Sequence, residues 1–424
     1  MVSAPQFRSD FLRTLQARGA YHACTEPEVL DALFLKEPVT AYIGFDCTGP
    51  SLHIGSLVQI MTLRRLQQAG HKPIVVMGGG TTKVGDPSGK DETRQILTAE
   101  QIEANKQSIL KSFERFLKFG DGPSDAIMVD NADWLDKLDY IPFLRDIGRH
   151  FSINRMLTMD SVKLRLERDQ PMSFLEFNYM ILQAYDFLEL FRRHGCRLQC
   201  GGSDQWGNIV NGIDLGRRVA DAQLFGLTSP LITTSSGAKM GKTAAGAVWL
   251  NSDMVSPYDY WQYWRNTEDG DVGRFLRLFT ELPEDQIALL EALQGAELNE
   301  AKKVLATEAS ALAHGREAAE AASGASKAAF EQGTSSKDLP IKMIDRGPNE
   351  EWKLGRSNAA ILVASGIATT NSDARRKIAE GAVKINDQLI SDPMAIMSWD
   401  KLDRQTGAYK VQYGKKKIVL VKPA

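Results

Sequence analysis

Val39-Thr-Ala-Tyr-Ile-Gly-Phe45 is an apolar, β-branched and aromatic run, and a polar segment reaching His53 follows it. It reads as a strand buried in a sheet. Ile54–Ala69 then carries apolar residues at helical spacing. Lys72-Pro-Ile-Val-Val-Met77 is a second strand, stopped by Gly78-Gly79-Gly80. A strand, a helix and a strand joined by short turns predict parallel pairing through a right-handed crossover. Ligands of such sheets bind beyond the carboxyl ends of the strands. That is where Asp46–His53 and Gly78–Lys90 fall.

Farther along, Ala99–Phe119 and Tyr140–Arg168 are expected as amphipathic helices, and Arg197-Leu-Gln-Cys200 as a short strand running into Gly201-Gly202. After Thr243 the character turns helical: Pro257–Trp264, Gly273–Thr280, Pro283–Gln294 and the alanine-rich Glu300–Ala329. Residues 331–352, with two prolines, read as a linker. The last part predicts two short capped helices, Ser357–Gly366 and Ser372–Gly381. A hairpin is expected in Val383–Ile390, turning at Asn386-Asp387.

Two strings suggest phosphate chemistry. His53-Ile54-Gly55-Ser56 opens a helix, and Lys239-Met240-Gly241-Lys242-Thr243 lies in a Ser/Thr/Gly-rich loop. A histidine beside glycines at a helix start, with a pair of loop lysines, suits binding and cleavage of a nucleoside triphosphate. The glycine-rich stretch between is neither familiar nucleotide loop. Gly80 and Gly85 have P-loop spacing, but Asp86 stands where lysine is required. Gly78-Gly79-Gly80-Thr81-Thr82-Lys83 lacks the last glycine of a dinucleotide fingerprint. Between the strings, Tyr179, Gln183 and Asp186 share one helix face at i, i+4 and i+7. Phe187-Leu-Glu-Leu-Phe191 continues that helix apolarly, so the polar stripe is enclosed and calls for a polar partner. Gly201-Gly-Ser-Asp204 follows a strand end, where Asp204 can hold a ribose hydroxyl.

The chain of 424 residues is long enough for two or three domains, and 43% hydrophobic with 25% charged residues describes a globular protein, not a disordered one. No apolar run has the length of a membrane span, and the first residues lack a signal-peptide core. Four cysteines are too few for a disulfide framework. Cys196 and Cys200 have the spacing of half a metal site, but no matching Cys/His pair accompanies them, so they are expected as small semi-buried residues and no metal site is expected. Net charge is −2, yet residues 353–424 carry 13 basic against 6 acidic side chains, a local +7 that leaves −9 on the rest. An anionic partner for the tail, or merely a solvated surface, accounts for this.

Taken in order, Tyr42-Ile-Gly-Phe-Asp46, His53-Ile-Gly-Ser56, Gly85-Asp-Pro-Ser-Gly-Lys90, Tyr179…Gln183…Asp186, Gly201-Gly-Ser-Asp-Gln-Trp206 and Lys239-Met-Gly-Lys-Thr243 resemble the motifs of bacterial tyrosyl-tRNA synthetases. The likeness runs through essentially the whole chain, and the terminal module resembles the S4 RNA-binding domain. The resemblance implies a class I synthetase with a Rossmann-type parallel-sheet catalytic domain, a helical domain and a small S4-like α+β domain. The boundaries then expected are 1–232 for the catalytic domain, with a helical insertion at about 120–195. A mobile loop of the KMSKS type follows at 233–245, a helical domain at 246–330, the linker at 331–352 and the S4-like module at 353–424.

It also implies roles. Tyr42 and Asp186 would hold the phenol of tyrosine; Tyr179, Asp86 and Gln183 its ammonium; Gln205 would lie near its carboxylate, with Asp46 in the same pocket. Gly44, Gly55, Gly202, Asp204 and Met240 would meet ATP, Asp204 and Gly202 at the ribose. Thr48, His53, Ser56, Lys90, Arg94, Lys239, Lys242 and Thr243 would act on the phosphates and departing pyrophosphate. ATP would enter with Mg2+. Arg217 and Arg218 would meet the acceptor stem of tRNA-Tyr. Arg375, Arg376, Lys377, Lys384, Lys415, Lys416 and Lys417 would form the basic face of the S4-like module. A homodimer is implied, with 143–173 near the interface, in the cytoplasm and away from membranes. Two positions depart from the family pattern. Ser56 stands where His or Asn is usual and reaches less far. Ile43 stands where many bacterial members carry Cys, which removes a weak ribose contact. Active chemistry is expected regardless.

Overall fold

The computed structural model describes residues 5–87, 96–237, 240–243, 246–330, 339–345, 354–404, 406–414 and 417–424. It divides into two compact units. The first comprises residues 1–254 and 267–301, and the second 255–266 and 302–424.

The first unit is built on a six-stranded sheet: β1 (Ala23–Cys24), β2 (Thr40–Asp46), β3 (Lys72–Gly78), β4 (Ile127–Asp130), β5 (Leu198–Gly202) and β6 (Phe225–Ser229). Its order is β1-β6-β5-β2-β3-β4, all parallel except β1 against β6. β2 and β3 pair in the register Tyr42↔Ile74 to Asp46↔Gly78, as the strand–helix–strand reading predicts. Successive strands run outward on either side of β2, so a crevice opens at the carboxyl ends of β2 and β5. β4 and β6 have no counterpart in the sequence reading. Phe225-Gly-Leu-Thr-Ser is short and polar at its end, but all five residues are buried.

The helices of this unit are α1 (Asp10–Ala17), α2 (Pro27–Lys36), α3 (Leu57–Gln68), α4 (Ala99–Phe113), α5 (Ala132–Leu135), α6 (Tyr140–Asp146), α7 (Ile153–Met156), α8 (Asp160–Glu167), α9 (Phe174–His194) and α10 (Trp206–Ala220). Tyr140–Arg168, expected as continuous amphipathic helix, is instead α6, a 3-10 turn at Gly148–His150, α7 and α8. Extended backbone at Ser152 and Met159 resets the chain between the pieces. α9 has strong ends. Ser173 and Glu176 form a capping box, Gly195 closes the helix at φ 63, and Arg192, Arg193 and His194 face the negative end of its dipole. Glu176 also forms a buried ion pair with Arg165 at 2.9 Å. α12 (Val272–Phe279) and α13 (Glu284–Glu291) complete the unit.

The second unit begins with α11 (Pro257–Arg265), which packs on α15 (Arg316–Phe330). α14 (Leu298–His314) ends at Gly315, whose φ of 95 divides the alanine-rich helix expected over 300–329. Within it, Trp261 Nε1 donates to Thr307 Oγ1 at 3.0 Å. The last part holds a five-stranded sheet of order β12-β11-β14-β15-β9, made from β9 (Ile341–Ile344), β11 (Val383–Ile385), β12 (Gln388–Leu389), β14 (Tyr409–Tyr413) and β15 (Lys417–Pro423). β10 (Gly355–Ser357) pairs separately with β13 (Ile396–Ser398). α16 (Asn358–Ala364) and α17 (Asn371–Ala379) match the two predicted helices, each capped by a hydroxyl, Ser357 and Thr370. The hairpin turns where expected, with Asn386 at φ 49 and Asp387 at φ 64. Ile341–Ile344, inside the stretch read as linker, is a strand, because it pairs in parallel with the buried β15.

Candidate active site

At the carboxyl ends of β2 and β5 lies a cleft of about 520 Å³. Its lining includes Tyr42, Gly44, Asp46, Thr48, His53, Gly55, Ser56, Asp86, Tyr179, Gln183, Asp186, Gly202, Asp204 and Gln205. Residues scattered over some 160 positions of sequence therefore meet in one place. Lys90, Arg94, Lys239, Lys415 and Lys416 lie outside the described residues. Lys242 and Thr243 form a two-residue strand, β7, opposite β8 (Gly246–Ala247).

One end of the cleft is deeply buried. Asp186, on α9, is 3% exposed and accepts hydrogen bonds from Trp134 Nε1 at 2.7 Å and Asn131 Nδ2 at 3.0 Å. Burial raises its carboxyl, the charges of Asp46 and Asp130 add to this, and the two donors oppose it. The result is a carboxyl pushed up to about 7. Tyr42, on β2, is 2% exposed, and its hydroxyl has no hydrogen-bond partner among the described residues. Burial, then the Asp186 charge, pushes that phenol well above its ordinary value. A buried hydroxyl with no partner among the described residues, near a carboxylate, suits a polar ligand that can bond both.

Beside it, Asp46 accepts from Thr81 Oγ1 at 2.7 Å and from Tyr179 Oη at 3.1 Å. Gln205 Nε2 donates to Asp86 at 2.9 Å, and Asn208 Nδ2 bridges the Gln183 and Gln205 carbonyl oxygens at 3.0 and 3.1 Å. Tyr179 is raised well above the usual phenol range by burial, then by Asp46 and Asp86. This pocket, with its carboxylates and neutral hydroxyl and amide groups, favours a cation such as an ammonium group.

The other end is made of backbone and small residues. His53 precedes a 3-10 turn, Ile54–Ser56, that leads into α3, and its Nδ1 accepts from Gly55 N at 2.9 Å. The neutral ring therefore carries its proton on Nε2, where it can donate. The two strings singled out in the sequence meet here. A Cβ on Gly241, which has φ 87, would lie 2.9 Å from Gly55 N and 3.0 Å from His53 Nδ1, so only glycine permits this approach. Ile54 N donates to Val248 O at 3.0 Å and Val248 N to Gly241 O at 2.9 Å, tying the loop's return to the same turn. At Gly202 a Cβ would meet Asp204 Oδ1 at 2.5 Å, which keeps a narrow floor open beside that carboxylate.

Several lining or supporting residues were not named from the sequence: Asn131, Trp134, Thr81, Asn208, Gln199 and Gln59. Asn131 and Trp134 follow β4, a strand missing from the reading. A strand at 127–130 would have marked them as carboxyl-end residues.

The predicted tRNA-binding residues divide between the units. Arg217 and Arg218 occupy the last turn of α10, Arg217 near Asp214 at 3.7 Å and Arg218 donating to His150 O at 2.9 Å. In the second unit Arg376 pairs with Asp373 at 2.6 Å, while Lys377 lies 5.2 Å over the Tyr413 ring and 3.3 Å from Asp373. Arg375 reaches Met394 Sδ at 3.6 Å. Lys384 and Lys417 are exposed.

A family model described as tRNA synthetases class I (W and Y) matches residues 35–331. A protein named tyrosine--tRNA ligase from Nitrobacter winogradskyi is 61% identical over 99% of both chains, and one of the same name from Rhodopseudomonas palustris is 60% identical over 99% of both. Among solved structures, a C-terminally truncated mitochondrial tyrosyl-tRNA synthetase of Aspergillus nidulans matches with a TM-score of 0.68 at 31% identity, covering 76% of this chain and 95% of that one. The parallel sheet, the cleft at its switch point and these full-length likenesses agree: the chain belongs to the bacterial class I tyrosyl-tRNA synthetases.

Proposed function

We propose that the chain is a tyrosine–tRNA ligase that uses the cleft in two steps. The tyrosine carboxylate attacks the α-phosphorus of ATP; an acyl–phosphate bond forms, the bond to the β-phosphate breaks, and pyrophosphate leaves. The terminal ribose hydroxyl of tRNA-Tyr then attacks the acyl carbon and AMP departs. No protein nucleophile is needed, so catalysis consists of positioning and charge stabilisation.

The observation that carries the reading is the Tyr42 hydroxyl, without a partner among the described residues, beside the buried Asp186 carboxyl. A substrate phenol gives Tyr42 a partner and donates to Asp186. Asp46, Asp86, Tyr179 and Gln183 then surround the ammonium, and Gln205 lies near the carboxylate. Gly44, Gly55, Gly202, Asp204 and Met240 cradle the nucleoside. His53 donates from Nε2 to the phosphates, and Thr48, Ser56, Lys90, Arg94, Lys239, Lys242 and Thr243 stabilise charge as pyrophosphate departs. Mg2+ arrives on the ATP phosphates as part of the substrate.

Arg217 and Arg218 serve the acceptor stem, and Arg375, Arg376, Lys377, Lys384 and Lys415–Lys417 another part of the tRNA. We assign a homodimer joined near 143–173, where Ile153 is 62% and Leu166 51% exposed. We assign the reaction to the cytoplasm, away from membranes. Four free cysteines suit a reducing compartment, and no helix of the described residues is long and apolar enough to cross a membrane. Amino-acid-dependent ATP–pyrophosphate exchange tests the reading: exchange is expected with tyrosine, and exchange with tryptophan instead would overturn it in favour of the tryptophan branch.

A further inference from the structure

The loop bearing Lys239 and Lys242 leaves β6 through Thr233–Gly237, and that root is gripped by the segment that starts α12. Asp271 is 2% exposed and stands at the N-cap of α12, yet its side chain makes no capping bond to that helix. Its Oδ2 accepts from Ser235 N at 2.8 Å instead, and its Oδ1 from Arg274 Nη2 at 2.7 Å. The same Arg274 nitrogen donates to Thr233 O. Glu268 accepts from Ser235 Oγ at 2.7 Å and Ser236 Oγ at 2.8 Å. A buried carboxylate that leaves the first amides of its own helix uncapped and accepts from a loop amide directs that oxygen to the loop.

The far end of α12 is tied to the helix that begins at the other nucleotide string. Arg65 of α3, 5% exposed, donates to Arg277 O at 2.9 Å and Leu278 O at 2.7 Å, and burial lowers its guanidinium to about 9. α12 therefore spans from the C-terminal part of α3 to the root of the lysine loop, while Met240-Gly241 seats against His53–Gly55 at the start of α3. Bonds at Ser235 and Ser236 therefore fix where the chain leaving β6 passes before Met240-Gly241 reaches His53–Gly55.

We propose that Glu268, Asp271 and Arg274 are positioning residues for pyrophosphate departure, holding the lysine loop to α12 and, through Arg65, in register with His53–Gly55. The proposal rests on the tyrosine-activation reading above. None of the three lines the cleft, so each acts only through the loop.

The test uses the full-length chain with Glu268→Ala, Asp271→Asn and the pair Ser235→Ala/Ser236→Ala. Each is assayed for tyrosine-dependent ATP–pyrophosphate exchange and, separately, for tyrosine affinity by equilibrium dialysis. Each variant is expected to lose about five- to tenfold in kcat/KM for ATP, with tyrosine affinity unchanged. Adding Glu268→Ala to the serine pair should cost less than the two losses summed, since both remove the hydroxyl bonds while Glu268 also accepts from the Ser236 backbone. Glu268 is exposed, so its variant keeps its fold even if Asp271→Asn does not. Parental exchange in Glu268→Ala, losses that add, or an equal loss of tyrosine affinity would each overturn the proposal. An inactive parent would instead overturn the activation reading on which it rests.

Discussion

Replacing Tyr42 by Phe removes one oxygen that has no partner among the described residues of the free protein. A buried hydroxyl left unpaired costs about 1–3 kcal/mol, so deleting it should leave the melting temperature unchanged or raise it. With tyrosine bound, that hydroxyl takes a hydrogen bond from or to the substrate phenol, worth about 1 kcal/mol net. At about 1.4 kcal/mol per factor of ten, tyrosine affinity should fall roughly fivefold. Phenylalanine behaves differently. In the parent it leaves Tyr42 and Asp186 both without a partner for the missing hydroxyl, and in the variant only Asp186. The Tyr42 hydroxyl is equally unpaired in the free parent, so phenylalanine affinity should not change, and the preference for tyrosine should shrink by the roughly fivefold that tyrosine alone loses. The assay is pyrophosphate exchange with each amino acid, expressed as the ratio of kcat/KM values, beside a thermal melt. An unchanged ratio would refute the assignment of Tyr42 to the phenol. A melting temperature several degrees lower would show that the hydroxyl has a partner in the free protein after all.

Other outcomes follow from the same geometry. Burial, with Asp46 and Asp130, holds the Asp186 carboxyl up to about 7. A phenol donates best to the ionised form, so tyrosine affinity should be full above that pH and fall by up to about tenfold per unit below it. Dissociation constants flat from pH 8 to 5.5 would contradict this. Gly241→Ala places a Cβ 2.9 Å from Gly55 N at φ 87. Strain of about 1–2 kcal/mol should raise the KM for ATP while tyrosine binding holds, and an unaltered KM would show that the loop need not seat there. Removing residues 339–424 takes away the whole sheet that β9 shares with β15. Tyrosyl-adenylate formation should survive and charging of tRNA should vanish; charging at the parental rate would exclude that sheet from RNA binding.

Periodicity and turn chemistry carried much of the fold. β2, α3 and β3 were legible because an apolar run, a helical repeat and a second apolar run leave a short list of ways to bury three faces. The capping hydroxyls of α16 and α17 and the Asn386-Asp387 turn were legible because their signals are local. Among the strands that failed to declare themselves, β4 and β6 are four and five residues long; β4 is half-buried throughout and β6 buried throughout, so neither shows any alternation. The break of α6 to α8 was likewise invisible, since backbone at Ser152 and Met159 is set by how the pieces pack.

The chemistry divides along the same line. Ordered motifs along the chain were enough to name Tyr42, His53, Gly55, Asp186 and Asp204 as candidates, because each belongs to a short string with its own spacing. Only the tertiary structure decided that Gly241 lies against Gly55, that Asn131 and Trp134 both donate to Asp186, and that the Tyr42 hydroxyl has no partner among the described residues. Those facts depend on contacts between residues 52 to 186 positions apart. Spacing along a chain records which groups are present, whereas desolvation and hydrogen bonding are fixed by what folding brings beside them.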